Sequence, residues 1–395
     1  MELTYENFYE DFFINEKIGR EKFYKEKYPQ ILKNNKNFFR STIKDFLNYT
    51  SNYKFNEKNH NIMIWDTKFE KIINGLSDTF NFYMITTSVN KYRYAKNHLN
   101  CKIYIAHRWM KLVDKSYISH DLSYVNKAID EVVEFIKYNN IKIIILGNDK
   151  LFIEKLLQYG ADRGNIPTVI IQHGIYNEDS FKVLNTANTA EHFWTWSDYV
   201  KDIYLKYFPN ACKDIKVIGY PLKTLKSVNK NDPSVLFLGN QYANYNKYEG
   251  AKYLEIAYTV YNVCKALDIK FIYRKHPSEI ITDDYASLKN TISNNRDLLN
   301  DLNRASIIVG DVSSVMLEAA LVGKHVVQII WSERSNVGKT PMYSFTVKAD
   351  TTYESILNAI NDCILKNVPN KIEDYYLWTN NNLKKDIIKN IKELI

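Results

Sequence analysis

Short apolar runs alternate with helix-patterned stretches along most of this 395-residue chain, and that alternation restricts its fold more than any other feature. NIMIWDT (61–67), FNFYMITTS (80–88), KIYIAH (102–107), IKIIILGND (141–149), IPTVIIQHG (166–174) and IKVIGYP (215–221) read as strands. SYVNKAIDEVVEFIKYNN (123–140) and residues 150–160 and 197–207 have helical spacing. Runs that are apolar throughout are strands buried on both faces, and such strands separated by helices make an open parallel sheet. PLKTLKSVNKNDP (221–233) interrupts the pattern; it is polar, Lys-rich and bounded by prolines, as an interdomain linker is.

The pattern then restarts. SVLFLGN (234–240), IKFIYRKHP (269–277), ASIIVGD (305–311), KHVVQII (324–330) and SFTVKA (344–349) are the strands of a second series. Helices are expected at 247–267, 296–304, 313–322, 353–366 and 380–394. The fold class is therefore α/β, two Rossmann-like domains facing across a cleft. Residues 1–55 form a helical extension, 56–220 the first domain and 234–370 the second. Residues 371–395 are a C-terminal helix expected to return to the first domain. Ligands of such sheets bind at the carboxyl ends of the strands, which places the site in the cleft.

Several function classes fall away. The chain has no GxGxxG, no Walker loop, no GxSxG elbow, no HExxH and no clustered Cys/His set, so neither a cofactor nor a metal site is expected. The paired acids at Asp283 and Asp284 lie on a polar stretch and are expected to be exposed. Cys101, Cys212, Cys264 and Cys363 have no CxxC partner and are expected to be small buried hydrophobes of a reduced, cytoplasmic protein. The start, MELTYENFYEDF, is acidic and aromatic, unlike a signal peptide, and no apolar run reaches membrane-spanning length. A net charge of +8 fits phosphate-bearing ligands or peripheral association with the inner, anionic face of a membrane. No nucleic-acid motif accompanies it.

Polar groups gather at four strand ends. The first is IIQHGIYNED, where His173 and Gly174 follow a strand; the second is IGYP at 218–221. The third is Arg274, Lys275, His276 and Pro277, two cations and an imidazole suited to a phosphate leaving group. Asp311, Ser313 and Ser314 are the fourth, where a strand hands over to a helix whose N-terminus attracts anions. Glu318 follows Ser314 by one turn on the same helix face, placed to hold ribose hydroxyls. Gly239 and Asn240, ending the 234–240 strand, join the donor-binding set. A histidine is the natural general base for a sugar hydroxyl near neutral pH, so His173 is the candidate, with Asp149, Asp66, Glu178 and Asp179 as alternatives or orienting partners.

Taken in order, QHG (172–174), IGYP (218–221), RKHP (274–277) and DVSSVMLEAALVGKHVV (311–327) resemble the GT-B-fold glycosyltransferases of bacterial surface polysaccharides. The nearest likeness is to the CDP-glycerol glycerophosphotransferase-like group. The His-Pro and Ser-Ser pairs are also similar to those of bacterial sialyltransferases and of Kdo or nonulosonate transferases that use CMP-sugars. The likeness covers about residues 140–335; the acidic-acidic-Gly motif of sialyltransferases is absent. It implies a metal-independent, inverting transferase without a bound cofactor, moving a sugar from a CMP- or CDP-linked donor, or in glycerophosphotransferase fashion a polyol phosphate from a CDP-polyol by attack on phosphorus, to a hydroxyl of a capsule, lipopolysaccharide or related glycan acceptor. His173 would be the base or an acceptor-side group and His276 would contact the donor phosphate. Ser313 and Ser314 would hold the phosphate or nucleotide and Glu318 the ribose. A UDP-sugar 2-epimerase and a non-catalytic glycan-assembly protein remain alternatives.

Overall fold

The structure is a computed structural model that describes residues 55–66, 69–147, 152–172, 174, 176, 190–210, 212–219, 233–240, 247–277, 279–294, 298–311, 313–321, 323–331, 346–365 and 383–395. The expectations for residues 1–54, the linker at 221–232, His173, Asp149, Glu178 and Asp179 lie outside the described residues. Two parallel sheets organise the rest, one of seven strands and one of five.

The first sheet contains β1 (His60–Trp65), β2 (Phe80–Thr86), β3 (Lys102–Ile105), β4 (Ile141–Leu146), β5 (Thr168–Ile171), β6 (His192–Thr195) and β7 (Asp214–Val217). Their order is β3-β2-β1-β4-β5-β6-β7. Its helices are α1 (Glu70–Leu76), α2 (Val89–His98), α3 (His107–Ser119), α4 (Leu122–Tyr138), α5 (Phe152–Gly164) and α6 (Asp198–Tyr207). Alternate residues of each strand serve opposite faces. Ile144 and Leu146 join one apolar cluster with Val125, Ile129 and Val132 of α4. Ile143 and Ile145 join another with Ile73 of α1 and Ala95 of α2. Both faces are covered, which is why these strands read as continuous apolar runs. Ser88, Asp121 and Ser197 cap α2, α4 and α6 by accepting backbone N–H groups.

Strand β6 was not expected. HFWT is four residues long, carries two polar side chains, and follows a polar stretch, so its apolar signal is too short to stand out. Its place between β5 and β7 comes from pairing with both.

The second sheet contains β8 (Ser234–Leu238), β9 (Lys270–Arg274), β10 (Ile307–Gly310), β11 (His325–Ile329) and β12 (Val347–Ala349), in the order β12-β11-β10-β8-β9. All five expected strands are present. The helices are α7 (Lys247–Ala266), α8 (Leu298–Arg304), α9 (Ser314–Leu321) and α10 (Tyr353–Ile364), with a 3-10 segment at Asp283–Thr291. Asp283 and Asp284 are exposed. Val235, Phe237, Val309 and Val327 pack on one face with Val260 of α7 and Ile360 of α10. Leu236, Leu238 and Ile308 face the other way, in the cluster that also holds Ile144 and Leu146 of the first sheet.

The last helix, α11 (Leu383–Leu394), packs against α1 rather than on the second sheet. Ile387 and Ile391 are buried with Ile62, Ile73 and Trp194. Lys216 of β7 fastens it through Glu393 at 2.5 Å and Asn390 at 3.3 Å. Among the described residues, Cys101, Cys264 and Cys363 are buried free thiols, pushed up to about 12 by burial. No helix of the described residues is long and apolar enough to cross a membrane.

Lys324, just ahead of β11, is a buried cation whose Nζ donates to the Ala305 carbonyl at 2.7 Å. Burial lowers its pKa to about 8. The unfolded chain, with an ordinary lysine near about 10.4, binds more protons between these values, so stability should rise with pH across that window. In Lys324→Met the rise should be absent. Melting temperatures of both proteins from about pH 7.5 to 9.5 test this, and a variant that still climbs in parallel with wild type contradicts it.

Candidate functional site

Strand order places three sequence-marked corners side by side. β8 lies between β9 and β10, with Leu238 opposite Arg274 and Phe237 opposite Val309. The three strands therefore end together, and the chain leaves them through Gly239–Asn240, Lys275–Pro277 and Asp311–Ser313. From β8 the chain goes to β9 on one side; from β10 it goes to β11 on the other. The β8/β10 boundary is thus a topological switch point, where diverging connections leave a crevice open at the strand ends.

The β9 exit is held from below. Arg274 Nη1 donates to Asp301 Oδ2 at 2.5 Å, and Asp301 is fully buried on α8. Asp301 also accepts from Ser293 Oγ at 2.6 Å. Arg274, expected in a cationic clamp with Lys275 and His276, anchors β9 to α8 through this pair, since a buried carboxylate is costly without a charged partner. Lys275 is exposed and has no ion-pair partner among the described residues. His276 is half-buried, and burial holds its imidazole below the ordinary value. Pro277 is exposed and offers no N–H.

Beneath His276 sits an acid that sequence reasoning passed over. Glu279 is buried, and its Oε2 accepts the His276 backbone N–H at 2.8 Å. Oε1 accepts the hydroxyls of Tyr273 at 2.5 Å and Tyr285 at 2.8 Å. Glu279 N–H returns to the His276 carbonyl at 2.9 Å. Burial pushes its pKa up against the opposing pull of these donors. The available signal was an acid three residues past the histidine, the reciprocal spacing of a capping box. Gly239 explains itself here. A Cβ on it would lie 2.2 Å from Glu279 Oε2 and 3.0 Å from the Arg274 carbonyl, so only glycine lets β8 end against the β9 loop. Its N–H bonds that same carbonyl at 2.8 Å. Asn240 follows, half-buried.

At the β10 exit the roles divide. Asp311 is buried and accepts Trp331 Nε1–H at 3.1 Å, fixing the end of β11. Ser313 is the N-cap of α9: its Oγ accepts Val315 N–H at 3.2 Å and its carbonyl accepts Met316 N–H at 3.0 Å. Ser314 and Glu318 are half-buried on α9, whose Met316, Leu317, Ala319 and Ala320 pack inward. Among the described residues Ser314 Oγ has no hydrogen-bond partner.

The first sheet has its own switch point, between β1 and β4. Asp66 stands at the β1 exit, buried, ion-paired with Lys91 of α2 and in a left-handed conformation with φ 70°. The remaining non-glycine residues with positive φ among those described follow helices; Asp66 alone follows a strand, which is where backbone strain draws notice. At the β5 exit Gln172 is buried, donates to the Gly174 carbonyl at 2.9 Å and accepts Trp196 N–H at 2.8 Å. It ties β5 to the end of β6, a role its place in QHG did not reveal. Among the described residues no three His, Cys, Asp or Glu side chains gather to hold a metal ion.

The sequence matches no protein-family model, and no curated protein sequence matches it. Solved structures match its fold. A glycosyltransferase from Rickettsia africae superposes with a TM-score of 0.54 at 13% identity, covering 85% of this chain and 99% of that one. The UDP-GlcNAc 2-epimerase of Methanocaldococcus jannaschii, solved with UDP-GlcNAc and UDP, gives 0.56 at 13% identity over 85% and 99%. The Staphylococcus aureus MnaA structure with UDP gives 0.60 at 12% identity over 85% and 98%. With the two parallel sheets, these likenesses show a two-domain α/β fold of the GT-B type.

Proposed function

We propose that this chain is a glycosyltransferase whose donor nucleotide sits on the second sheet, at the exits of β8, β9 and β10. The observation that carries the reading is their adjacency: Lys275, His276 and the α9 N-terminus with Ser313 and Ser314 border one switch-point crevice. Lys275 and His276 would stabilise the departing phosphate electrostatically, aided by the helix N-terminus. Ser314 would donate to a phosphate oxygen, and Glu318 would take the ribose hydroxyls. Asn240 would contact the same nucleotide from the central strand.

Across from it, His173 or a nearby carboxylate would take the proton of an acceptor hydroxyl. Asp149, Asp179, Asp66 and Glu178 are the carboxylates proposed for that part. The freed oxygen attacks the sugar carbon bonded to phosphate; that C–O bond breaks, and its electrons leave with the nucleotide. A hydroxyl of a growing surface glycan is the proposed acceptor and a cytidine nucleotide the proposed carrier, supported by the resemblance of the His-Pro and Ser-Ser corners to enzymes using CMP- or CDP-linked donors. We place the reaction in the cytoplasm, at the inner face of a membrane.

A thermal-shift panel of CMP, CDP, UDP and GDP tests the carrier. CMP or CDP should give the largest stabilisation, following RT ln(1 + [L]/Kd); no shift with any of the four eliminates a nucleotide site. The epimerase reading, favoured by the shared fold, differs in a second assay: donor incubated alone should yield an isomerised sugar if it holds, and no turnover without acceptor if the transferase reading holds.

A further inference from the structure

We propose that the layer of α1, α2 and α11 is a docking surface for an anionic lipid bilayer. The choice of a bilayer as partner rests on the membrane-face transferase reading above; the charge asymmetry that calls for a partner does not. The three helices lie side by side on one face of the first sheet. α11 packs against α1. α1 is tied to α2 where the Tyr94 hydroxyl donates to Glu70 Oε2 at 2.8 Å and Asn74 Nδ2 donates to the His98 carbonyl at 3.1 Å. α2 has three Lys or Arg residues and no acid, α11 has four against two, and α1 has one of each. The opposite layer, α3 to α6, has nine against eight. One sheet therefore carries a cationic face and a nearly neutral one.

Pairing sharpens the contrast. On the neutral layer Arg108 is bonded to Glu131 at 2.6 Å and Arg163 to Asp130 at 2.9 Å. On the cationic layer Arg93, Lys96, Lys384, Lys385 and Lys392 are exposed and have no ion-pair partner among the described residues. Like charges gathered in this way repel one another, and an anionic leaflet supplies the missing counter-charge. Their spread over a layer of helices suits a plane of charge better than the narrow track of a nucleic-acid backbone. The contact is electrostatic, because the apolar stripe of α11, Ile387 and Ile391, is already buried in the core and is not available to enter lipid. Tyr94, exposed among these cations, is of the type that settles at headgroup level. Lys91 of α2 pairs with Asp66 at the β1 exit, so the layer begins at the rim of the first sheet's switch point, within reach of an acceptor anchored in the same membrane.

Vesicle flotation of the full chain tests this. Wild type should float with phosphatidylcholine vesicles containing roughly one-third phosphatidylglycerol and stay behind with pure phosphatidylcholine. About 1 M salt should release it, since the Debye length is then only about 3 Å. Each cation at an anionic surface contributes about fivefold in affinity. The triple variant Lys384→Gln, Lys385→Gln, Lys392→Gln should therefore bind about a hundredfold more weakly. Lys127→Gln, Lys137→Gln, Lys206→Gln removes the same net charge from the opposite layer and should cost less than about threefold. Should the first triple disturb folding by circular dichroism, Arg93→Gln with Lys96→Gln takes its place, with an expected loss of about twenty-five-fold. Equal weakening from both layers would trace binding to net charge alone and overturn the proposal. So would equal flotation with neutral vesicles, or binding that survives high salt. Wild type that is held by duplex DNA but not by the anionic vesicles overturns it as well, in favour of nucleic acid. No nucleotide enters the assay, so a failure here leaves the donor-site reading to its own thermal-shift panel.

Discussion

Turnover of His276→Ala should fall by about two to three orders of magnitude, the range for deleting one donor aimed at developing charge. The size of the effect follows from how few groups the loop can offer. Arg274 is bound to Asp301, the His276 N–H is bound to Glu279, and Pro277 has no N–H. The loss should fall mainly on kcat, since the leaving phosphate gains charge in the transition state. The imidazole also brings a pH signature. Burial lowers its pKa, so it is neutral at physiological pH in the free protein. A bound phosphate stabilises the imidazolium, so proton uptake accompanies binding and affinity strengthens as pH falls. His276→Asn keeps an N–H donor but cannot titrate. The phosphate's own protonation is common to both proteins, so the difference between their pH slopes for CMP binding isolates the imidazole. A near wild-type kcat in His276→Ala, or identical slopes, would remove the role.

Asp301→Ala should be the most destabilising single change at the site. It strips a buried, short ion pair from Arg274 and a hydroxyl partner from Ser293. Breaking a buried pair by removing one partner costs about 3–5 kcal/mol, because the remaining charge is left without compensation. For a unit of this size that corresponds to about 6–20 °C in melting temperature. Removing both charges together, as Arg274→Met with Asp301→Leu, should recover much of the loss, since the uncompensated ion is then gone. A melting temperature of Asp301→Ala within about 2 °C of wild type would show the pair to be incidental.

These residues also mark where sequence reading reached its limit. Apolar periodicity reports which stretches are strands and helices, and so β8 to β11 and the corners that follow them were legible. It worked because buried parallel strands are apolar on both faces, and because the residues that leave them change abruptly in polarity. The same signal is silent on which polar side chains turn inward. Asp301 stands in LLNDLNR, where an acid among asparagines reads as solvent-facing; Arg274, 27 residues earlier, and the nearby Ser293 and Arg304 compensate its burial. Glu279 stands in a polar stretch after the loop, and its three donors come from a strand, a loop and a 3-10 segment. Strand β6 was missed for a different reason: four residues with two polar side chains are held by their neighbours in the sheet, not by their own pattern. Arg274 and Asp311 carry a structural duty that their charge at a strand end did not announce: each also braces the corner, through Asp301 and Trp331.

The return of α11 to the first unit has a mechanical meaning. Because Ile387 and Ile391 are sealed beside α1, the polypeptide passes between the two units twice, between 219 and 233 and again between 365 and 383. Removing α11 would therefore uncover Ile62, Ile73 and Trp194 of the first unit, while the cluster formed by Val235, Phe237, Val309 and Val327 would keep all of its members.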